Sequence, residues 1–378
     1  MIRRLHVQGY KTLRDVDLLL GPLNVLIGPN GCGKTNLLDI AALLHEHKAG
    51  KLEDAIFARG GLGGILWARG EYKSIRIQLI YNASQEGKYK DWEFRLRLRR
   101  KETTFVAETE FGLSNTLEIF RDLSPLSAPP QELEFDEDSF SDLSQLVPED
   151  GSPYSEAKRE LDSLFAGIAI YTSFDTTRDS PMRQPPLVRP QTRLINGGDN
   201  LVNVLYRLSA LREYRPAYED ILDVIRTAYP DFEELAFPPE GGDGRIVMRW
   251  KEKSFKRDFS IHYLSDGILR FLCLLAVLKT PDPPPLVCID EPELGLHPSL
   301  MPIIAALLRD ASSRTQLILA THSPQLVDAL DVEHIVIMDR VDGETRVQRL
   351  QDRPQLGTWL EHYTKGELWL SGELGGAP

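Results

Sequence analysis

Residues 264–291 read LSDGILRFLCLLAVLKTPDPPPLVCIDE, and this stretch decides the fold. Its first four residues predict the start of a helix, because serine is a common N-cap and the following residues are rich in Leu, Phe and Ile. A proline-rich run ends the helix, and the apolar strand at 286–289 leads directly into Asp290 and Glu291. The pattern therefore predicts a serine-capped helix followed by a buried strand that ends in two acids.

A glycine-rich loop near the N-terminus supplies the second element. It reads Gly28-Pro29-Asn30-Gly31-Cys32-Gly33-Lys34-Thr35, which fits G-x-x-x-x-G-K-T between an apolar strand at 23–27 and a helix predicted over 36–47. Such glycines let backbone N–H groups surround a phosphate at the positive end of a helix. We expect Lys34 to neutralise the outer phosphates and Thr35 to offer its hydroxyl to magnesium.

The two strand-end acids complete a phosphate-transfer site. Asp290 and Glu291 are predicted to emerge at the same sheet edge as the glycine-rich loop. Adjacent acids can divide the work: Asp290 would hold magnesium through water, and Glu291 would polarise the water that attacks the γ-phosphate. Glu293 is a rival for the base, two residues into the turn.

Two further polar positions point to the same site. His322 follows an apolar strand at 317–320 and can hydrogen-bond the γ-phosphate or orient Glu291. Ser265 and Gly267 open a helix whose free N–H groups form an anion site with no phosphate nearby in sequence. One molecule is therefore expected to hold half of each active site. His297 fits either a capping or packing role or a reporter role.

These elements together resemble the ATPase head of the RecF, OLD and SMC branch of ABC ATPases. The chain is most similar to the stand-alone predicted AAA-type ATPases of that branch, over residues 1–60 and about 255–345. The resemblance implies ATP and magnesium as ligands, Glu291 as base, His322 as switch histidine and Lys34 as a catalytic cation. It implies nucleotide contacts in cis from Asn30, Gly31, Cys32, Gly33, Lys34, Thr35, Asn36 and Lys11, and in trans from Ser265 and Gly267.

The fold expected is an α/β P-loop NTPase of ABC type. It has a mostly parallel sheet with helices on both faces, an antiparallel β subdomain and an inserted helical lid. The subdomain rests on alternating strands at 75–81, 92–100 and 104–111. An acidic loop is predicted over 122–157. The predicted domains are a head (1–120 and 245–345, with the subdomain at about 70–120), an insert (121–244) and a C-terminal tail (346–378).

Two positions depart from the family pattern. Asp266 places a negative charge beside the γ-phosphate where many relatives have glycine, which predicts a weak or partner-dependent closure. Gln78 fits either a magnesium-contacting glutamine loop or an ordinary surface residue of a strand.

Composition narrows the class of protein. The 378 residues carry a net charge of -12, with 42% hydrophobic and 26% charged residues, as in a soluble globular protein. No apolar run is long enough for a membrane span, so a cytoplasmic protein without membrane contact is expected. The three cysteines offer neither a disulfide framework nor metal-ligand spacing. Cys32 fits a filler of the loop or an oxidation-sensitive thiol.

Two functions of different class follow. The first is a slow, partner-stimulated ATPase that forms a homodimer around two ATP molecules and couples this to DNA processing, DNA repair or anti-phage defence. Basic segments at 95–101 and 251–257 offer phosphate contacts, although alternating arginines also occur on solvated strands. The second is an ATP-sensing scaffold that gates a separate nuclease or toxin. The residues after His322 are too few for the nuclease domain of OLD proteins, and the oversized insert disfavours a transporter.

Overall fold

The computed structural model describes residues 1–67, 72–85, 88–101, 104–113 and 153–375. The strands are β1 Ile2–Tyr10, β2 Leu13–Leu19, β3 Leu23–Ile27, β4 Ser74–Gln85, β5 Lys88–Lys101, β6 Thr104–Leu113, β7 Ala169–Tyr171, β8 Phe232–Ala236, β9 Pro239–Glu240, β10 Arg245–Ile246, β11 Arg249–Glu252, β12 Phe259–Ser260, β13 Leu286–Asp290, β14 Gln316–Ala320, β15 Ile335–Val341 and β16 Glu344–Arg349. The α-helices are α1 Lys34–Lys48, α2 Leu52–Ala58, α3 Gly61–Ile65, α4 Pro153–Ala166, α5 Leu201–Ala210, α6 Arg215–Ala228, α7 Asp266–Leu278, α8 Met301–Ser312, α9 Pro324–Ala329, α10 Leu356–Leu360 and α11 Lys365–Leu370. Short 3-10 helices include Pro181–Arg183, Ile261–Tyr263 and Pro298–Leu300.

The chain divides into two compact units. The first contains residues 1–21, 43–166 and 341–347, and the second contains 22–42, 167–340 and 348–378. The predicted division into head, insert and tail stays a prediction. No helix among the described residues is both long enough and apolar enough to cross a membrane.

The first unit contains an antiparallel sheet in the order β2-β1-β4-β5-β6. This confirms the antiparallel strands predicted from the alternating segments, because the apolar side chains Phe94, Leu96 and Leu98 of β5 are all buried. Helix α4 covers part of the sheet, and the Tyr81 hydroxyl donates to the carbonyl of Ala157 at 2.5 Å. Most of the predicted acidic loop lies outside the described residues.

The last five residues of that predicted loop belong to α4 instead. Ala157, Leu161, Leu164 and Phe165 are buried and recur at helical spacing, so they form one apolar face. The acids that precede this face in sequence obscured its start. The loop prediction was therefore wrong over residues 153–157.

The second unit is built on a sheet in the order β16-β15-β3-β14-β13-β7. The pairs β13–β7, β13–β14, β14–β3 and β15–β3 are parallel, which confirms the mostly parallel sheet. Every residue of β3 and of β14 is buried, as expected for strands covered on both faces. Helix α7 is buried along its length after the first turn and packs in the same core.

The segments on either side of α7 are divided into short elements. The segment that follows the two acids begins as the 3-10 helix Pro298–Leu300, and the α-helix α8 starts at Met301. The segment 245–261 pairs in two places: β10 pairs with β9, while β11 pairs with both β8 and β12. The chain therefore reaches the LSDG segment from a small three-stranded sheet, β12-β11-β8.

Candidate nucleotide site

The glycine-rich loop packs closely against Met338 in the middle of β15. Gly28 has a φ of 151°, and a Cβ atom there would lie 2.0 Å from the Met338 carbonyl oxygen. Gly31 and Gly33 also have positive φ angles, of 76° and 109°. Residues with a side chain rarely adopt these backbone angles, so the loop can keep its curvature only with glycine at these positions.

Lys34 and Thr35 lie where the motif predicts a triphosphate and its metal. The buried Lys34 Nζ donates to the carbonyls of Gly28 at 2.7 Å and Pro29 at 3.1 Å. Burial lowers the pKa of Lys34, and the negative field of Asp290 opposes this shift. The Thr35 hydroxyl donates to Asp290 Oδ2 at 3.3 Å. A hydroxyl beside a carboxylate is a donor set that suits magnesium, so these residues fit the predicted ion.

The other loop residues differ in exposure. Asn30 and Gly31 are exposed and Asn36 is half-buried, whereas Cys32 is fully buried. Burial raises the pKa of the Cys32 thiol, which favours its role as a packing residue over that of a reactive thiol.

Arg340, which sequence reasoning missed, places Nη1 3.5 Å from the Gly31 carbonyl. Its position just after the apolar run at 335–338 was the signal that could have identified it.

The two acids end β13 in different backbone conformations. Asp290 still pairs in register with Ala320 of β14, and the next N–H, of Glu291, donates to the Ala320 carbonyl at 2.8 Å. Glu291 then adopts a φ of 49°, an unusual left-handed angle for a residue with a side chain. Burial, together with the charge of Glu291, raises the pKa of Asp290. Strained backbone of this kind is concentrated at functional sites.

Glu293 holds the backbone of the predicted switch histidine. Its Oε1 accepts from the His322 N–H at 2.7 Å, and burial raises the pKa of Glu293. Burial and the positive field of Lys34 lower the pKa of His322, while Glu291 opposes the shift. His322 therefore lies within electrostatic reach of both Lys34 and Glu291. Because Glu293 is engaged by His322, this geometry favours Glu291 as the base.

The LSDG segment forms the N-terminus of α7. Ser265 is the exposed N-cap, and its hydroxyl accepts from the Ile268 N–H at 3.3 Å. A Cβ atom on Gly267 would lie 3.0 Å from the Gly295 carbonyl, so glycine permits close packing against the turn that follows β13. Asp266 Oδ1 accepts from Arg183 Nη2 at 2.7 Å. Arg183 is a second residue that sequence reasoning missed.

The remaining candidate residues lie in other settings. Lys11, in the turn between β1 and β2 of the first unit, has a φ of 47°, and its role as a nucleotide contact stays a prediction. Gln78 Nε2 donates to Glu93 Oε1 at 2.6 Å within the first unit's sheet. His297 Nδ1 accepts from the Ser299 N–H at 3.2 Å and caps a 3-10 helix, which confirms its capping role.

The fold and this site define a P-loop ATPase of the ABC type. A strand, a glycine-rich loop and a helix follow one another in the order typical of a P-loop, and a strand-end acid meets the loop threonine. The chain belongs to the family described as "AAA domain, putative AbiEii toxin, Type IV TA system", whose model matches residues 23–328. The resemblance to the OLD, SMC and RecF type of ATPase is thereby confirmed.

Known relatives agree with this class. An OLD nuclease of Thermus scotoductus is 53% identical over 38 residues, which are 10% of this chain and only 7% of that nuclease. An SMC head bound to the C-winged helix domain of ScpA has a TM-score of 0.57 at 14% identity, covering 92% of this chain and 97% of that one. An SMC head with an extended coiled coil, bound to the C-terminal domain of ScpA derived from Pyrococcus furiosus, has a TM-score of 0.53 at 14% identity, covering 95% and 99%. These structures show the shared fold.

Paired substitutions separate the two candidate bases. If Glu291 is the base, Glu291→Gln should lower kcat for ATP hydrolysis by about 100-fold or more, because the amide cannot accept the proton of water. Glu293→Gln keeps an oxygen that can accept from His322, so its kcat should stay within about threefold of the parent. Steady-state phosphate release measures both. The opposite ranking would make Glu293 the base.

Glu293 also predicts a pH dependence of stability. Its pKa is raised by burial, so between the ordinary glutamate pKa and the raised value the folded state binds more protons than the unfolded state. Its contribution therefore lowers the free energy of unfolding as pH rises through that window. Urea unfolding from pH 4.5 upward should show Glu293→Gln gaining stability relative to the parent as pH rises. A difference independent of pH would contradict this assignment.

Proposed function

We propose that this protein binds ATP with magnesium, hydrolyses it, and forms a homodimer around two ATP molecules. The observation that supports this most directly is the meeting of Thr35 and Asp290 at 3.3 Å, where Lys34 and His322 also interact electrostatically. Phosphoryl transfer depends mainly on such positioning and charge stabilisation. Membership of an ATPase family agrees with this chemistry.

Each residue near the phosphates has a distinct task in the proposal. The loop from Asn30 to Asn36 binds the triphosphate through backbone N–H groups, and Lys11 adds a nucleotide contact. Lys34 neutralises charge on the outer phosphates. Thr35 and Asp290 would hold the magnesium ion, which supplies further neutralisation of the phosphate oxygens when bound.

The hydrolytic step requires one base for the attacking water and one hydrogen-bond donor to the γ-phosphate. Glu291 takes a proton from the attacking water as the oxygen bonds to the γ-phosphorus and the bond to ADP breaks. His322, whose pKa is lowered, is neutral at pH 7 and can donate one N–H to a γ-phosphate oxygen. Glu293 fixes the backbone of His322 and so sets where that N–H points.

The N-terminus of α7 supports the dimer. Ser265 is exposed, and its hydrogen bonds run to Ile268 and Leu269 of its own helix. We propose that this N-terminus, including Gly267, contacts the γ-phosphate of ATP bound by a second copy of the chain. Each site would then be complete only in the dimer, and hydrolysis by the isolated chain would be slow and stimulated by partners.

The dimer is proposed to act in DNA processing, DNA repair or anti-phage defence in the cytoplasm. Two arginines of β5 are paired with acids: Arg95 with Glu93 and Glu110, and Arg99 with Glu108 at 2.7 Å. The loop between β11 and β12 is the better candidate for DNA phosphates, because it exposes Lys253, Lys256 and Arg257 beside exposed Phe255. Similarity to an OLD nuclease and to SMC heads supports this setting.

The alternative is an ATP-sensing scaffold that gates a separate effector without touching DNA. The paired charges on β5 favour it, as does a family description that includes a toxin system. The SMC head structures contain ScpA domains as protein partners. In this proposal the ATPase head comprises residues 1–120 and 245–345. The effector would bind the insert at 121–244, with its helical lid, and the tail at 346–378.

ATP should convert the Glu291→Gln variant from a monomer to a stable dimer, because bound ATP cannot turn over. Light scattering after size exclusion, with and without ATP and magnesium, measures the mass. Adding Lys34→Ala to this variant should abolish both nucleotide binding and dimer formation. A Glu291→Gln protein that binds ATP but keeps its mass would overturn the dimer proposal.

Filter binding of duplex DNA tests the coupling. We expect ATP-dependent retention by Glu291→Gln at low salt, and about tenfold weaker retention when Lys256→Glu and Arg257→Glu are added, with a salt slope lower by about 2. Arg178→Glu with Arg212→Glu, exposed arginines outside that loop, is the charge-matched control. Absence of ATP-linked retention at low salt would favour the scaffold.

A further inference from the structure

One buried arginine holds the whole segment that leads into α7. The Arg183 side chain is only 5% exposed and comes from the 3-10 turn Pro181–Arg183. Its Nη1 donates to the carbonyls of His262 at 3.0 Å and Leu264 at 2.8 Å. Its Nη2 donates to Asp266 Oδ1 at 2.7 Å. One guanidinium therefore fixes both the backbone before Ser265 and the side chain after it.

The other side of this guanidinium is anchored equally well. Arg183 Nε donates to the carbonyls of Thr176 at 3.0 Å and Thr177 at 3.1 Å. The loop that carries them is itself ordered, because the Ser180 hydroxyl donates to the Asp175 carbonyl at 2.6 Å. Because the planar guanidinium of Arg183 is held through Nε, its two Nη atoms can position the groups that they bind.

The same loop also contacts the middle of α7. Met182 is fully buried, and its Sδ lies 3.9 Å from Cys273 Sγ in the middle of α7. The loop thus contacts α7 through Met182 and fixes its N-terminus through Arg183. Movement of the N-terminus relative to the loop would break the hydrogen bonds to Arg183.

Charge gives Arg183 a second task. The Asp266 carboxylate is 64% exposed and follows Ser265 directly, where a phosphate of a second copy's ATP is proposed to approach. An unpaired carboxylate there would repel that phosphate, and pairing with Arg183 offsets the charge. Hydrogen bonds from a buried guanidinium also keep the carboxylate turned toward the protein.

We propose that Arg183 is a positioning residue for trans nucleotide binding: it fixes residues 261–266 and neutralises Asp266, so that the N-terminus of α7 can accept a phosphate. This inference rests on the proposed ATP-dependent dimer. Arg183 touches no substrate in this scheme, because it acts through the backbone of the segment and through Asp266.

The decisive experiment measures ATP-dependent dimerisation by analytical ultracentrifugation in the Glu291→Gln background. Arg183→Gln should weaken the dimer roughly 10- to 100-fold while nucleotide affinity of the monomer stays unchanged. Adding Asp266→Asn should recover much of that loss, because it removes the unpaired charge. A simple structural staple predicts no recovery, since the second change only removes a further charge-assisted contact. Unchanged dimerisation of Arg183→Gln, or a loss without recovery, would overturn the inference.

Two further variants complete the design. Arg193→Gln, at an exposed arginine that donates to the Asp282 carbonyl at 2.9 Å, is the matched control and should dimerise like the parent. Asp266→Asn alone keeps an oxygen for Arg183 and changes an exposed side chain, so it should fold even where Arg183→Gln does not. It should dimerise as tightly as the parent or more tightly, and a tenfold loss would overturn the inference.

Hydrogen exchange separates this inference from the dimer proposal. If the Glu291→Gln protein binds ATP without dimerising, the dimer proposal fails by itself. Amides of residues 261–268 in the monomer should still exchange about tenfold faster in Arg183→Gln than in the Arg193→Gln control. Equal exchange in the two variants would overturn the positioning role.

Discussion

The in-register parallel pairing of three buried strands is the constraint on which this protein depends. β14 pairs with β3 on one side and with β13 on the other, and Ala320 is level with Leu26 and with Asp290. The chain therefore leaves all three strands at one sheet edge, into the glycine loop, the acidic pair and the His322 segment. A shift by one residue would exchange the side chains between the two covered faces and would move Asp290 away from Thr35, so side-chain packing and the site chemistry fix the same register.

This register explains how short-range features become a site. Glu291 extends the ladder by one N–H bond to Ala320 and then turns with a left-handed φ. The turn brings Glu293 back, so that its carboxylate accepts from the next strand's loop at His322. The ends of two strands are thus joined by a side chain. The strain at Glu291 is sustained by bonds on both sides of it.

The sequence predicted the parts of this arrangement that depend on local pattern. Apolar runs gave β3, β13 and β14, and the motif placed Lys34 and Thr35 before any geometry was known. It could not predict the start of α4, where acids precede an amphipathic face. Nor could it find Arg183, which lies 83 residues before Asp266 in an irregular loop with no motif of its own. Contacts of that kind arise from tertiary packing, which the periodicity of hydrophobic residues does not reveal.

The effect of charged side chains was the property least predictable from the sequence, because an ion pair changes the net charge that a side chain presents. The alternating arginines of β5 suggested a basic strip, yet Arg95 pairs with Glu110 directly opposite it on β6, and Arg99 pairs with Glu108 of the same neighbouring strand. Asp266 suggested a repulsive group beside a phosphate, yet a buried guanidinium meets it. In both cases the partner is close in space and distant in sequence. The electrostatic field at a surface or a site therefore follows from the pairs, and a charge read alone can give the wrong sign.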